Sequence, residues 1–287
     1  MTGVNITCDR QGNLRRVAVW QGRELRDLYL DRIDKPDLTG AVVGGKVARV
    51  VAGQKAAWLD CGFGEMVYVE GLDKIRSGDY RVVRIKSAAR QGKAWVGAAV
   101  KAGQGEEKTG ILTPPPYPWQ RAMDDLKGAE IASMMFANRE DHDLCQQGLV
   151  SKEPVHPELD EIIDGLLQPT VVLQGGSNIV IEQTEALVAI DVNGEANNPL
   201  AVNLLAVREA ARQIRLRNLA GIIVIDALKM KQRADNAKVL NALGRATESD
   251  PAGVTVFGMT KLGLIEITRT RRGPSLGEIM RDSSNGA

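Results

Sequence analysis

The residues whose type and setting best fit chemistry are two aspartates, each closing an apolar run: Leu187-Val-Ala-Ile-Asp191 and Ile222-Ile-Val-Ile-Asp226. Carboxylates at the ends of neighbouring strands project into the crevice at the edge of an α/β sheet, where ligands usually bind. Two hard oxygen donors suit Mg²⁺ or Mn²⁺, which keeps several waters and accepts one or two carboxylates plus phosphate oxygens. An aspartate that only caps a strand or a following helix leaves the same trace, so the pattern holds both readings open. Asn193 follows Asp191 by two residues and faces the same side if the strand continues. Its amide could hold a water or a phosphate oxygen, although Val-Asn-Gly is also an ordinary turn, the plainer reading of the pattern.

A second set of residues is basic. Arg208, Arg212 and Arg215 recur at i, i+4 and i+7, which puts them on one helical stripe, with Arg217 close by. Guanidinium groups match phosphate geometry, so such a stripe beside two metal-binding carboxylates would grip a polynucleotide backbone. A solvated helix face has the same composition. Lys261, Arg269, Arg271 and Arg272 form a further basic cluster. Aromatic residues make up only 4% of the chain, yet Trp58, Phe63 and Tyr68 fall within one short stretch. Aromatics on a barrel sheet can stack single-stranded bases, with Lys86 and Lys93 as candidate phosphate contacts; core packing and solvated lysines are the alternatives.

Several chemistries are excluded. His142 and His156 are the only histidines, which rules out a multi-histidine metal site and leaves a Ser-His-Asp arrangement without support. Cys8, Cys61 and Cys145 are odd in number and form no C-x-x-C pair, against both a disulfide framework and a zinc site. No G-x-x-x-x-G-K follows a strand, so a phosphate loop is absent. With 37 Lys and Arg against 36 Asp and Glu, the net charge of +1 offers a polyanion no global attraction, and any nucleic-acid surface must come from local clustering. No stretch approaches a membrane span or a signal core, so a reducing cytoplasm is expected.

The elements that must position these residues follow from periodicity. Residues 1–35 alternate in short runs separated by Gln11-Gly12 and Gln21-Gly22, predicting a hairpin or meander. Five strand candidates between Gly40 and Val100 predict a small closed barrel of the OB type. A Gly- and Pro-rich connection follows. Between Arg121 and Leu167 the spacing of Leu126, Ile131, Met134 and Met135, and later of Leu159, Ile162, Ile163 and Leu166, predicts helices. After Pro169, strands alternate with two helices, one opening at Asn198-Pro199 and running to about Asn218, the other spanning Ala234 to Thr247, which makes this half α/β.

The segments EQTEALVAIDVNG, NLLAVREAARQIRLRNLAGIIVIDALKM and TKLGLIEITRTRRGPSLGE resemble, in order and spacing, the catalytic region of the ribonuclease E/G family. Upstream, GGKVARVVAGQKAAWLDCGFGEMVYV and QGKAWVGA resemble the family's OB-fold RNA-binding module, of the type named after ribosomal protein S-one. The resemblance implies a mixed α/β (α+β) chain: a ribonuclease-H-like subdomain in two parts, 1–36 and 103–169, an inserted OB-fold β-barrel, 37–102, and a deoxyribonuclease-I-like catalytic α/β subdomain, 170–287. It also implies a metal-dependent endoribonuclease of RNA processing, rRNA included, that cuts single-stranded RNA and leaves 5′-phosphate ends. Asp191 and Asp226 fall on the family's magnesium-binding aspartates and Asn193 on its associated asparagine. Trp58, Tyr68 and Lys93 fall on RNA-binding positions of the barrel. Arg208, Arg212, Arg215, Lys261 and Arg269 complete the expected RNA contacts.

Departures from the family pattern are equally specific. Lys229 stands where its I-D-F-I-D-M signature carries a second aspartate, and Lys261-Leu262 replaces Arg-Phe. No R-T-x-x-G-like element for sensing a 5′-monophosphate is found, and no zinc-linking cysteine motif follows Glu278. Mg²⁺, with Mn²⁺ as substitute, is therefore the expected cofactor, structural zinc and a zinc-linked tetramer are not expected, and self-association stays open. The alternative is an RNA-binding protein that retains the fold with little or no turnover.

Overall fold

The computed structural model describes residues 3–72, 74–87, 94–100, 107–126, 128–152, 155–195 and 197–284. The chain divides into two compact units, one formed by Met1–Leu30 with Ala122–Ala287 and the other by Asp31–Arg121.

The chain opens with a meander, β1 (Val4–Gln11), β2 (Leu14–Gln21) and β3 (Glu24–Arg32), whose tight connections are Gly12 and Gly22, both at positive φ. The second unit contains β4 (Val42–Val51), β5 (Ala56–Asp60), β6 (Met66–Glu70), β7 (Tyr80–Ser87), β8 (Trp95–Ala99) and β9 (Gly110–Thr113). Its strand order is β5-β6-β8-β7-β4-β9, and a further pairing of β4 with β5 closes the first five into the expected OB-type barrel. Val43, Val47, Ala57, Leu59, Val67, Val69, Val83 and Ile85 alternate inward to fill it. Gly45 lets β4 pass close to β5: a Cβ there would sit 2.5 Å from the Asp60 carbonyl oxygen and 2.6 Å from Cys61 Sγ.

Helix α1 (Pro118–Asp125) spans the boundary at Arg121, and the remainder of the first unit contains β10 (Ile131–Phe136), α2 (Arg139–Cys145), β11 (Leu149–Val150), α3 (Leu159–Leu167), β12 (Thr170–Val172), β13 (Asn178–Gln183), β14 (Val188–Asn193), α4 (Pro199–Leu216), β15 (Gly221–Asp226), α5 (Arg233–Thr247), β16 (Val254–Met259), β17 (Leu264–Arg269) and α6 (Leu276–Ser284). One expectation is corrected here. Ile131, Met134 and Met135 lie on strand β10, which pairs in parallel with β1 in the sheet β11-β10-β1-β2-β3. Ala and Met favour helices locally, but the open edge of β1 offers a ladder of backbone partners, and that non-local pairing overrides propensity.

Helices α4 and α5 begin where expected. Asn198 caps α4, its Oδ1 accepting from the Ala201 amide at 3.2 Å, with Pro199 in the first turn. Helix α6 is closed by a reciprocal Ser-x-x-Glu cap: the Ser275 amide donates to Glu278 Oε2 at 2.7 Å, and the Glu278 amide donates to Ser275 Oγ at 3.4 Å. The sheet that matters for the site is β12-β13-β14-β15-β17-β16, with β14 and β15 parallel and the other pairs antiparallel. Ile179, Ile181, Ile190, Val192, Ile223, Ile225, Ile265 and Ile267 turn to one face and bury against Ala206, Val207, Ala210, Ala211 and Ile214 of α4 and Val239 and Leu243 of α5. The residues between them necessarily point to the opposite face.

Candidate active site

The opposite face carries the acidic pair. In the parallel ladder of β14 and β15, Asp191 is the register partner of Asp226. Adjacent strands lie about 4.8 Å apart, so the two carboxylates stand side by side, and both are exposed. The row continues as Val180 on β13 and Leu264 on β17. Asn193, still within β14, shares the face, and its Nδ2 donates to Asp191 Oδ2 at 3.0 Å. The bond holds one carboxylate oxygen of an otherwise exposed side chain. Among the described residues no group of three or more His, Cys, Asp or Glu side chains is gathered at a point. The donor set is therefore two exposed carboxylates, which fits a hard cation that keeps most of its waters and takes phosphate oxygens.

Sequence reasoning missed what holds this pair in place. Asn203, fully buried on α4, clamps the chain just past Asp226: its Nδ2 donates to the Leu228 carbonyl at 2.8 Å, and its Oδ1 accepts from the Leu228 amide at 2.9 Å. Close packing fixes the exit from β14 as well, since a Cβ on Gly194 would come 3.0 Å from both Ser177 Cβ and Val202 Cγ1. An asparagine inside an otherwise apolar helix stripe was the available signal. Lys229, immediately after the clamp, is exposed. Lys261 is exposed in the turn between β16 and β17, at the end of the sheet where Asp226 pairs with Leu264.

The basic stripe of α4 does not converge on the carboxylates, which corrects that expectation. Helix α4 lies on the far face of the sheet, so Arg208 and Arg212 project away from it; both are exposed, and Arg212 Nη1 contacts Glu209 Oε1 at 3.0 Å. Arg215 is engaged internally, with Nε bonded to Asp27 Oδ1 and Nη2 donating to Asp27 Oδ2 at 2.8 Å. Arg217 is buried against Gln213, and burial holds its guanidinium below the usual range. Arg269 is buried too, donating to Asp250 Oδ2 at 2.8 Å and to the Leu219 carbonyl at 3.0 Å. Arg272 reaches Asp125 Oδ2 at 2.8 Å. Arg215 and Arg269 thus brace the fold, and the exposed cations among the expected contacts of this unit are Arg208, Arg212 and Lys261.

On the barrel, Trp58 of β5 and Tyr68 of β6 are direct cross-strand partners with ring centroids 5.1 Å apart. Arg49 of β4 is the register partner of Trp58 on its other side and lies 5.6 Å above the ring centroid. Arg49, Trp58 and Tyr68 therefore form one row across three strands, with half-buried aromatics and an exposed guanidinium. Arg49 escaped the sequence reading because only the pairing of β4 with β5 brings it to Trp58. Phe63 is not part of the row and meets Trp95 edge-on at 6.4 Å. Lys93 lies outside the described residues, and Lys86 is exposed on β7.

A family model described as "Ribonuclease E/G family" matches residues 89–272, well over half of the chain and inclusive of both aspartates. The chain belongs to the ribonuclease E/G family. Among curated relatives it is 43% identical over 129 residues to a chloroplastic ribonuclease E/G-like protein of Arabidopsis thaliana, a match covering 42% of this chain and 13% of that protein. It is 38% identical over 131 residues to ribonuclease E of Escherichia coli (strain K12), covering 43% of this chain and 12% of that one. With ribonuclease G of the same strain it shares 34% identity over 131 residues, covering 43% of this chain and 27% of the relative. The matched stretch thus spans well under a third of the length of these relatives. Mixed α+β architecture with an OB-like barrel accords with the family. Among the described residues no helix is long and apolar enough to cross a membrane.

Proposed function

We propose that this chain is a divalent-metal-dependent endoribonuclease that cuts single-stranded RNA in RNA processing or turnover, rRNA processing included, leaves 5′-phosphate ends, and works in the cytoplasm. The observation that carries the reading is the register pairing of Asp191 with Asp226 on an open, water-accessible sheet face. Family membership supplies the reaction class.

Asp191 and Asp226 would hold Mg²⁺, with Mn²⁺ as a substitute. The bound ion supplies positive charge that polarises the scissile phosphate and acidifies a water. Asn193 contributes orientation through its bond to one Asp191 oxygen. Asn203 keeps Asp226 in register through the Leu228 peptide. Lys229 and Lys261 place positive charge at the same edge, which draws the RNA backbone toward two acids that would otherwise repel it. The Arg49–Trp58–Tyr68 row stacks unpaired bases and adds a phosphate contact.

Lys229 also favours a second reading, an RNA-binding protein with little turnover, because a cation near the carboxylates competes with the metal for them. One experiment separates the two. The protein and its Asp226→Asn variant are incubated with A/U-rich single-stranded RNA, in Mg²⁺ or in chelator. Cutting by the parent that is lost in the variant and in chelator supports the nuclease; binding without products supports the alternative.

A further inference from the structure

Phe257 is one of three phenylalanines in the chain and is 65% exposed. It sits on β16, an edge strand whose register against β17 slips between Val256 and Gly258: Val256 pairs with Ile267 and Gly258 with Glu266, which leaves Phe257 as the extra residue of a bulge. Gly258, at φ +127°, provides backbone freedom that the bulge uses. The flanking Val254, Val256 and Met259 pack on the helix side of the sheet, and Phe257 is absent from that cluster. The bulge therefore turns the phenyl ring to the open face, where Asp191 and Asp226 stand. From β15 to β16 is two strand spacings, about 10 Å across the sheet, and the bulge stands at the level of Glu266 and Ile267, two to three residues along β17 from Leu264, the partner of Asp226; a few nucleotides of an unpaired strand bridge that span. Glu266, the partner of Gly258, is exposed beside the ring on that face and has no hydrogen bond or ion pair among the described residues.

We propose that Phe257 and Glu266 form a base-binding subsite near the carboxylate pair, the ring stacking an unpaired RNA base and the carboxylate accepting from an exocyclic amino group, so that a base carrying an amino group is preferred there over uracil. The inference rests on the nuclease reading above and adds to it a base preference at one position. An exposed aromatic beside a polar acceptor suits single-stranded nucleic acid, because every base has a face to stack, while adenine, cytosine and guanine carry an amino donor for a carboxylate and uracil offers only an N–H flanked by two carbonyls. Docking of a second copy through β16 is the other use of an exposed edge, and the bulge opposes it by breaking the row of backbone groups such pairing needs.

The test measures fluorescence anisotropy of the full chain with labelled single-stranded oligoribonucleotides, with Ca²⁺ in place of Mg²⁺ to slow cutting, using a series in which each nucleotide in turn lacks its base. For the parent we expect one position where base removal weakens binding at least ~5-fold. Phe257→Ala should weaken binding of the intact strand by the same factor, show no further loss when that base is missing, and be rescued by Phe257→Trp. Glu266→Ala should erase the preference for amino-bearing bases over uracil at that position. Equal losses on intact and base-less strands, or no loss at all, overturn the subsite, as does a Phe257→Ala protein whose sedimentation changes while its RNA affinity does not. A parent that cuts RNA in Mg²⁺ yet is indifferent to Phe257 leaves the nuclease reading standing without this subsite; base-dependent binding through Phe257 in a protein that never cuts does the reverse.

Discussion

Asn203 grips both polar groups of the Leu228 peptide, the amide at 2.9 Å and the carbonyl at 2.8 Å, two residues past a carboxylate that the proposed reaction depends on. Removing the side chain leaves those groups without a partner in a part-buried place, a change that costs about 1–3 kcal/mol. For Asn203→Ala we expect a lower urea midpoint with unchanged slope, and a cutting rate that falls at temperatures where the protein is still folded. A variant as stable and active as the parent would show that the clamp does not position Asp226.

Asp191→Asn keeps the shape of the side chain and removes its charge. Cutting should fall at least about a hundredfold, in line with the loss of a group that holds the catalytic charge. RNA affinity at constant salt should change little, since the stacking row and the exposed lysines are untouched. Gel assays of product and filter-binding titrations, run side by side, distinguish this from a binding defect; a large drop in affinity would contradict the assigned role.

The barrel row separates stacking from charge. Trp58→Ala should weaken single-stranded RNA binding roughly 5- to 150-fold with the dependence on salt unchanged. Arg49→Ala should instead flatten the plot of log affinity against log salt by about 0.7. If the two variants alter salt dependence equally, the row does not bind RNA in the manner its geometry suggests.

Cysteine reactivity checks the barrel's packing. Burial, with the Asp60 carboxylate adding to it, raises the Cys61 thiol to about 11. The thiolate is the reactive form, so at pH 8 only about one Cys61 in a thousand is ionised, and its fraction grows tenfold per pH unit until the pH nears 11. Burial also pushes Cys8 well up, whereas Cys145 is only half-buried. Iodoacetamide at pH 8 should therefore label Cys145 first, and all three only in denaturant. Rapid labelling of Cys61 in the folded protein would mean that the barrel core is open to solvent.

Much of this molecule was legible in local pattern. Alternation between Gly40 and Val100 specified barrel strands, Asn198-Pro199 specified the start of α4, and the two apolar runs ending at Asp191 and Asp226 specified strands with acids at their ends. Each depends on period, cap or turn chemistry among residues close in the chain. Strand β10 was misread because its residues favour helix and its partner β1 lies more than a hundred residues earlier. The arginines were misjudged for a related reason. Type and spacing show that Arg208, Arg212 and Arg215 share a stripe, but whether a guanidinium meets solvent or Asp27 depends on which sheet comes to rest against the helix.

Local pattern was enough for most of the elements, for the barrel strands and for the identity of the two acids, because side-chain period and turn residues act over a few positions. Tertiary pairing and packing set Asp191 and Asp226 at one register level, put α4 behind the sheet so that its arginines leave the acids, and leave Phe257 exposed at a bulge on the edge strand. Register between strands and the choice of covered face are set by pairing and packing across long stretches of chain, and no local pattern contains them.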